Sequence, residues 1–145
     1  MFSRLFKRMC VSPMRSSSIM QFIKKEGFVI IEQSNDSVVI RFKRYNFCVS
    51  WDEKRHWTSI KSWFDLKEED IFPAMVAAHT LMNDPSFIRI YVNKDEHKVI
   101  FDVIQFCYTM SEFRSLLYWA LDMISTVKLF FTIEIDDANS QSIRY

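Results

Sequence analysis

A single glycine, Gly27, stands in a chain of 145 residues. Phosphate-binding loops and dinucleotide-binding fingerprints use several glycines, because only a residue without a Cβ lets the backbone close around a phosphate. The G-x-S-x-G elbow that presents a nucleophilic serine needs two glycines. The sequence therefore excludes these motifs. We expect Gly27 itself to end a helix, at the position that favours left-handed backbone.

Length and composition indicate one compact domain. Hydrophobic residues make up 49% of the chain and charged residues 26%, which is typical of a globular protein rather than a disordered one. A domain of this length buries roughly 68–70% of the surface of its unfolded chain, which suffices for a core without disulfides or metal. No apolar run approaches the roughly 20 residues that span a bilayer. We place the domain at 18–136, between a basic, flexible N-terminal tail, 1–17, and a loose C-terminal tail, 137–145.

Alternating apolar residues in the first half predict an antiparallel meander. Val38 and Ile40 begin a pattern that recurs every second residue, the period of a half-buried strand. A strand before them at 28–33, a further strand in which Phe47, Val49 and Trp51 alternate, and a weaker one at 57–64 bring the meander to three or four strands. Ahead of it, apolar residues within 19–23 are spaced for one face of a short helix.

The second half returns to the helical period and then to strands. Three acids at 68–70 and the proline at position 73 predict a helix over about 70–83. Two strands, 87–93 and 98–106, form a hairpin across a charged turn, and a last helix follows. The predicted class is α+β: an antiparallel sheet of about five strands packed against helices, in the order α-β-β-β(-β)-α-β-β-α.

The middle helix carries two apolar stripes. Alanines at 74, 77 and 78, with the leucine at 81, form a small-residue stripe suited to close packing against a sheet. Phe72, Val76 and His79 form a second stripe on the other side. One sheet contact buries only one of these stripes.

The last helix, predicted from Ser111 to Phe131, also has more apolar surface than one contact requires. Trp119, Met123 and Phe130 flank its core stripe and widen the apolar arc to about 200°, whereas a helix on one sheet face needs about 100°. Another part of the chain, a second subunit or a bound peptide covers the excess. The candidate partner or dimer surface comprises Phe72, Val76, His79, Trp119, Met123 and Phe130; packing of both stripes in the core is the alternative.

Basic charge is concentrated at the N-terminus. Residues 1–25 carry six Lys and Arg and no acid. Apolar residues at 2, 5, 6 and 9 lie opposite Arg4, Lys7 and Arg8, so 2–10 has the pattern of a short basic amphipathic helix. Electrostatic contact with an anionic membrane, nucleic acid or a partner through these three residues is one interpretation, and a solvated tail is the other. Because the rest of the chain is net acidic, we do not expect nucleic acid to be the partner.

Side chains that carry chemistry are few. Cys107 with His79 is the one cysteine–histidine pairing that could form a nucleophile with its base, and the two are far apart in sequence. His56 and His97 lie beside acids in turns without metal-ligand spacing. Three cysteines without a C-x-x-C pair suit a reducing compartment. We therefore expect a cytoplasmic protein without enzymatic activity, metal, cofactor or small-molecule substrate; a pocket between sheet and helices, used by a ligand-binding protein or an enzyme, is the alternative.

The second half of the chain resembles a known family. The stretch NDPSFIRIYVNKDEHKVIFDVIQFCYTMSEFRSLLYWALDMISTVKLFF, 83–131, has an asparagine after a helix, a strand, a charged turn, a second strand, and a helix opened by serine and an acid. This pattern is similar to the second half of YbjN-like domains. The element order of the first half matches the α+β fold that the YbjN family shares with class I type III secretion chaperones.

This resemblance implies a bacterial protein that binds other proteins, often as a dimer, and has no catalytic signature. In the secretion chaperones the client is an extended segment wound across apolar patches. The resemblance thus implies a chaperone or regulator that uses apolar helix surfaces and sheet edges.

Overall fold

The computed structural model describes residues 12–82 and 87–143, with side chains described as far as residue 137. Three α-helices and six β-strands follow one another along these residues, and a short 3₁₀ turn at Glu68–Asp70 precedes the second helix. In chain order the elements are α1 (Ser16–Lys25), β1 (Val29–Gln33), β2 (Ser37–Phe42), β3 (Tyr45–Asp52), β4 (Trp57–Asp65), α2 (Ile71–Met82), β5 (Arg89–Asn93), β6 (Lys98–Phe106) and α3 (Met110–Ile143).

All six strands join one antiparallel sheet in the order β1-β2-β3-β4-β6-β5. The predicted α+β class and element order are confirmed, with six strands where about five were expected. The strand that looked weak in the sequence, β4, lies inside the sheet and pairs with both β3 and β6. It therefore joins the N-terminal meander to the C-terminal hairpin.

The helices cover one face of the sheet, and the core lies between the two layers. Ile60 of β4 shows how the register builds this core, because it pairs with Val49 on one side and Val103 on the other, and all three are buried. Their neighbours along each strand point to the opposite face, as the two-residue period requires. On that face Lys61 and Arg89 flank Asp102 in register.

The folded unit begins earlier than the predicted boundary at residue 18. Met14 is buried, its N–H donates to the Tyr108 carbonyl at 3.1 Å, and Pro13 forms a bridge with Thr109. Helix α1 then starts at Ser16. Residues 12–17, which the sequence placed in a flexible tail, thus pack with the fold. The predicted tail contacts Arg4, Lys7 and Arg8 lie outside the described residues.

The first helix ends as predicted. Gly27 follows the last turn of α1 with a φ of 79°, in the left-handed region where a residue without a Cβ avoids strain. A Cβ at this position would meet no atom within 4 Å, so the backbone conformation and not the available space favours glycine here.

The last helix is longer than predicted. It was expected to end at Phe131, and its backbone continues to Ile143, through 137–143, which was assigned to a loose tail. Polar residues do not end a helix by themselves, and the sequence after Phe131 has no glycine or proline to stop it. Ile135 also packs against the core and holds the added turns.

The most apolar part of this helix, Met110–Asp137, is long and apolar enough by composition to span a membrane, which the sequence reading above did not anticipate. Of its most apolar window, 44% is buried within the fold. The core helix of a folded domain meets the same criterion, and α3 lies across β4 and β6 in that role.

Candidate interaction surface

Helix α2 carries apolar residues on two opposite sides but is covered on one side only. Ala74, Ala77 and Ala78 are buried, and the helix packs against α3 and β5. On the opposite side Phe72 is 74% exposed and Val76 is 43% exposed. The helix contains no Asp, Glu, Lys or Arg. Because exposed apolar side chains such as these mark contact surfaces when they cluster, the outer side of α2, which also exposes His79 and Thr80, is a candidate contact surface.

Helix α3, which packs against α2, also has an exposed apolar flank. Helix α1 covers the other flank, where the Tyr118 ring lies 6.2 Å from the rings of both Phe22 and Phe28. At 100° per residue, Trp119, Met123 and Phe130 project from the side away from Tyr118. All three are at least 36% exposed.

The six predicted surface residues therefore lie outside the core, on two helices that pack against each other. His79 is exposed on the outer side of α2 together with Met75, which the sequence-based set did not include. We call this set the α2–α3 surface; its members are Phe72, Met75, Val76, His79, Trp119, Met123 and Phe130.

A groove of about 540 Å³ adjoins the α2–α3 surface at Trp119. Phe87, before β5, and Phe106, at the end of β6, form its other aromatic walls, and they are 77% and 68% exposed. The polar side chains of Glu112 and Ser115 line it as well. Sequence reasoning missed both phenylalanines because they lie at strand ends, although the apolar character of both faces of this hairpin was a signal. We call this feature the β6–α3 groove.

The open face of the sheet carries an ion pair whose carboxylate is buried. Arg89 donates to Asp102 through Nε at 2.8 Å and through Nη2 at 2.7 Å, and the Asp102 side chain is almost wholly buried beneath it. These hydrogen bonds raise the pKa of Arg89 above its ordinary value. The carboxylate is thus fully engaged by one guanidinium, an arrangement that holds β5 on β6.

The structure separates the one cysteine–histidine pair. Cys107 is buried directly after β6, and its N–H donates to the His56 carbonyl at 2.7 Å. Burial raises the pKa of the Cys107 thiol, which opposes formation of a thiolate nucleophile. His79 lies on the exposed side of α2, outside the set of residues that line the groove beside Cys107.

His56 and His97 occupy turn positions with left-handed backbone conformation. Each closes a hairpin turn in the left-handed region, with φ of 57° and 52°. In the first turn the carboxylate of Asp52 accepts from two backbone N–H groups at 2.9 Å each. In the second, the side-chain oxygen of Asn93 accepts from two at 3.2 and 3.1 Å. Histidine tolerates this conformation better than most residues, so the turns account for both positions.

A buried lysine on α3, Lys128, was not identified from the sequence. The Nζ of Lys128 donates to Ser62 Oγ at 2.7 Å and to the Trp63 carbonyl at 3.0 Å. It also lies 4.1 Å from the ring centre of Tyr45 and 4.2 Å from that of Phe64. Burial lowers the pKa of Lys128 from 10.5 to about 8. The ammonium is sealed between sheet and helix, where it ties α3 to β4.

No cluster of three or more His, Cys, Asp or Glu side chains that could hold a metal ion occurs among residues 12–82 and 87–137. The polar contacts described above belong to turns, to the Arg89–Asp102 ion pair and to the buried Lys128. Within this part of the chain, α2 and α3 expose apolar side chains that favour a contact role.

Comparison with known proteins shows which solved structure has a similar fold. No protein-family model and no curated protein matches the chain by sequence. The crystal structure of YbjN from E. coli, described as a candidate transcription regulator, matches with a TM-score of 0.57 over 87% of this chain and 92% of that chain, at 9% identity. The chain therefore has the YbjN-like fold that the pattern of its second half predicted.

Proposed function

We propose that the protein is a non-enzymatic interaction module that associates with a second copy of itself through the α2–α3 surface. The observation that carries this proposal is helix α2, whose outer side is apolar and 74% exposed at Phe72. YbjN, whose solved structure is similar to this fold, is described as a candidate transcription regulator, which is compatible with an interaction module.

The composition of the α2–α3 surface favours a second copy over a charged partner. Its members include no Asp, Glu, Lys or Arg, and His79 is its one titratable side chain. Permanent homodimer interfaces resemble a domain core cut in half, whereas transient contacts between different proteins are more polar. A two-fold dimer also requires a patch that complements itself, which an uncharged apolar helix face can do without matching opposite charges.

The exposed apolar area of the α2–α3 surface is compatible with a second copy of the chain as its partner. Phe72, Trp119 and Phe130 are 74%, 36% and 52% exposed, which for side chains of this size leaves roughly 300 Å² of aromatic surface open. A standard interface takes about 800 Å² from each partner. The three rings thus supply a central apolar cluster, and Met75, Val76 and Met123 extend it.

We place this activity in the bacterial cytoplasm. The described cysteines, Cys48 and Cys107, are both free thiols, and burial raises the pKa of each. Thiols that stay reduced without a partner suit a reducing compartment.

Light scattering on the full chain tests the proposal. We expect a mass of twice 17.4 kDa for the wild type and 17.4 kDa for the double variant Phe72→Glu/Val76→Glu, because two charges cannot be desolvated against a second copy. Both side chains are exposed, so the monomeric variant should keep its circular dichroism spectrum. Val29→Glu is the matched control, since Val29 is an exposed apolar residue on β1, and it should remain dimeric.

A wild-type mass of 17.4 kDa would contradict self-association. In that case a pull-down that depends on Phe72 and Val76 would identify a different partner for the same surface. A dimer that persists in the double variant would contradict the location of the interface.

A further inference from the structure

We propose that the β6–α3 groove of each chain receives Phe72 of a second copy, so that the two copies fill each other's grooves. This inference rests on the proposed function, because it requires two α2–α3 surfaces to face each other, and it names the residue that occupies the adjoining groove. The area of the interface, the position of the groove and the geometry of a two-fold axis support it.

The α2–α3 surface alone provides less aromatic area than a standard interface. Its three rings leave roughly 300 Å² open, whereas such an interface takes about 800 Å² from each partner. Phe87 and Phe106, which are 77% and 68% exposed, add roughly 300 Å² more. The groove that they form is continuous with the surface at Trp119. A second copy that also covers the groove therefore comes closer to the required area.

The groove lies where α2 ends, and Phe72 lies where α2 begins. The Sδ of Met82, in the last turn of α2, accepts from the N–H of Ile90 at 3.4 Å. This contact holds the last turn of α2 beside the segment that carries Phe87, a wall of the groove. From Phe72 to Met82 the helix rises about 15 Å. The protruding ring and the groove thus belong to opposite ends of α2.

A two-fold axis brings these opposite ends together. The two copies of a symmetric dimer use the same patch, so each contact occurs twice. An axis that crosses the outer side of α2 at its middle, near Val76, sets the two α2 helices antiparallel. The first turn of one α2 then lies against the last turn of the other, and Phe72 of each copy comes next to the groove of its partner.

The lining of the groove suits an aromatic ring. Phe87, Phe106 and Trp119 offer ring edges and faces, and a volume of about 540 Å³ admits a large side chain. Glu112, the charged member of the described lining, is engaged at the start of α3, where its carboxylate accepts from Thr109 Oγ1 at 3.3 Å. An aromatic anchor seated in a pocket of the partner is the usual source of binding energy at an interface.

Mixing two variant chains tests this inference. Phe72→Lys replaces the ring by an ammonium group, and Ser115→Glu places a carboxylate in the groove; both positions are exposed, so each chain should keep its circular dichroism spectrum. Each variant alone should dimerise with a dissociation constant at least about tenfold weaker than that of the wild type. In the mixed dimer the two new charges attract each other and the second contact is the wild-type one, so an equimolar mixture should return to twice 17.4 kDa in light scattering.

Ser115→Lys is the matched control. It also charges the groove, but its mixture with Phe72→Lys brings two ammonium groups together and should stay monomeric. A mixture of Phe72→Lys with Ser115→Glu that stays monomeric would overturn the inference. Wild-type affinity of Ser115→Glu alone would do the same, because the groove would then lie outside the interface.

Failure of this inference is distinguishable from failure of the proposed function. A dimeric wild type that Phe72→Glu/Val76→Glu dissociates, combined with either of the two contrary results above, would keep the α2–α3 surface as the interface and remove only the groove from it. A wild-type mass of 17.4 kDa would contradict both.

Discussion

Replacing Lys128 by methionine should change how the stability of the fold depends on pH. Lys128 is 1% exposed, and burial lowers its pKa from 10.5 to about 8. Between these two pH values the unfolded chain holds the Lys128 proton and the folded chain has released it. Raising the pH through this range therefore favours the folded state of the wild type.

The magnitude follows from the displacement of the pKa. Each pKa unit corresponds to about 1.4 kcal/mol, so the wild type should gain roughly 3 kcal/mol of unfolding free energy relative to Lys128→Met between pH 7 and pH 10.5. At pH 7 the variant loses two hydrogen bonds and the contacts with the Tyr45 and Phe64 rings, but it also avoids desolvating an ammonium. These effects oppose each other, so the pH dependence is more informative than the stability at one pH.

Urea unfolding followed by circular dichroism across this pH range measures the effect. Titratable groups that do not contact Lys128 act on both proteins equally, so their contribution cancels in the difference. Lys24→Met, at an exposed position on α1, is the matched control and should give a curve parallel to that of the wild type. Parallel curves for Lys128→Met and the wild type would refute the reasoning, because the buried ammonium would then titrate as it does in water.

Two further substitutions test the backbone and the open sheet face. Arg89→Ala removes the bidentate partner that covers the Asp102 carboxylate and should lower the free energy of unfolding by about 1–3 kcal/mol in a urea titration. Arg89→Ala with Asp102→Asn should recover part of this loss. Gly27→Ala should cost about 1–2 kcal/mol in the same assay, because φ is 79° and an added Cβ meets no neighbour; a neutral result would contradict strain at this position.

The sequence predicted the elements whose apolar period is regular. The alternation begun by Val38 and Ile40 gave β2, and the alanines of α2 identified the buried side of that helix, leaving Phe72 and Val76 on the outer side. In each case the spacing of apolar residues within one short stretch of sequence is enough to predict the element and its buried side. The exposure of Phe72 and Val76 was predictable for the same reason, because they lie opposite the buried stripe; their role in a contact stays a prediction.

The central strand was harder to recognise because polar residues interrupt its apolar pattern. Thr58 and Ser62 point into the core and are buried, but hydrogen bonds satisfy them: Ser62 Oγ donates to the Asn46 carbonyl at 2.7 Å, and Thr58 Oγ1 donates to Met14 Sδ at 3.3 Å. Those partners are distant in sequence, so no local pattern predicts them. The same holds for Lys128, whose burial depends on Ser62 and on rings from other strands.

The β6–α3 groove depends on tertiary arrangement as well. Phe87 and Phe106 look like core residues of a hairpin when read from the sequence. They become surface residues because they lie at strand ends, at the side of the sheet where α3 begins. A pattern of apolar residues indicates which strands exist. Whether the residues at the ends of those strands are buried depends on which neighbouring elements cover them.

The pairing of β4 with β6 has a consequence for synthesis of the chain. Nine residue pairs, from Trp57 with Phe106 to Asp65 with Lys98, join strands that lie far apart in sequence. While a ribosome has released only the first four strands, β4 is an unpaired edge with its apolar side uncovered by α3. Such edges pair readily with other chains. The nascent chain therefore passes through an aggregation-prone stage that ends when its last third emerges and the sheet is completed from its C-terminal side.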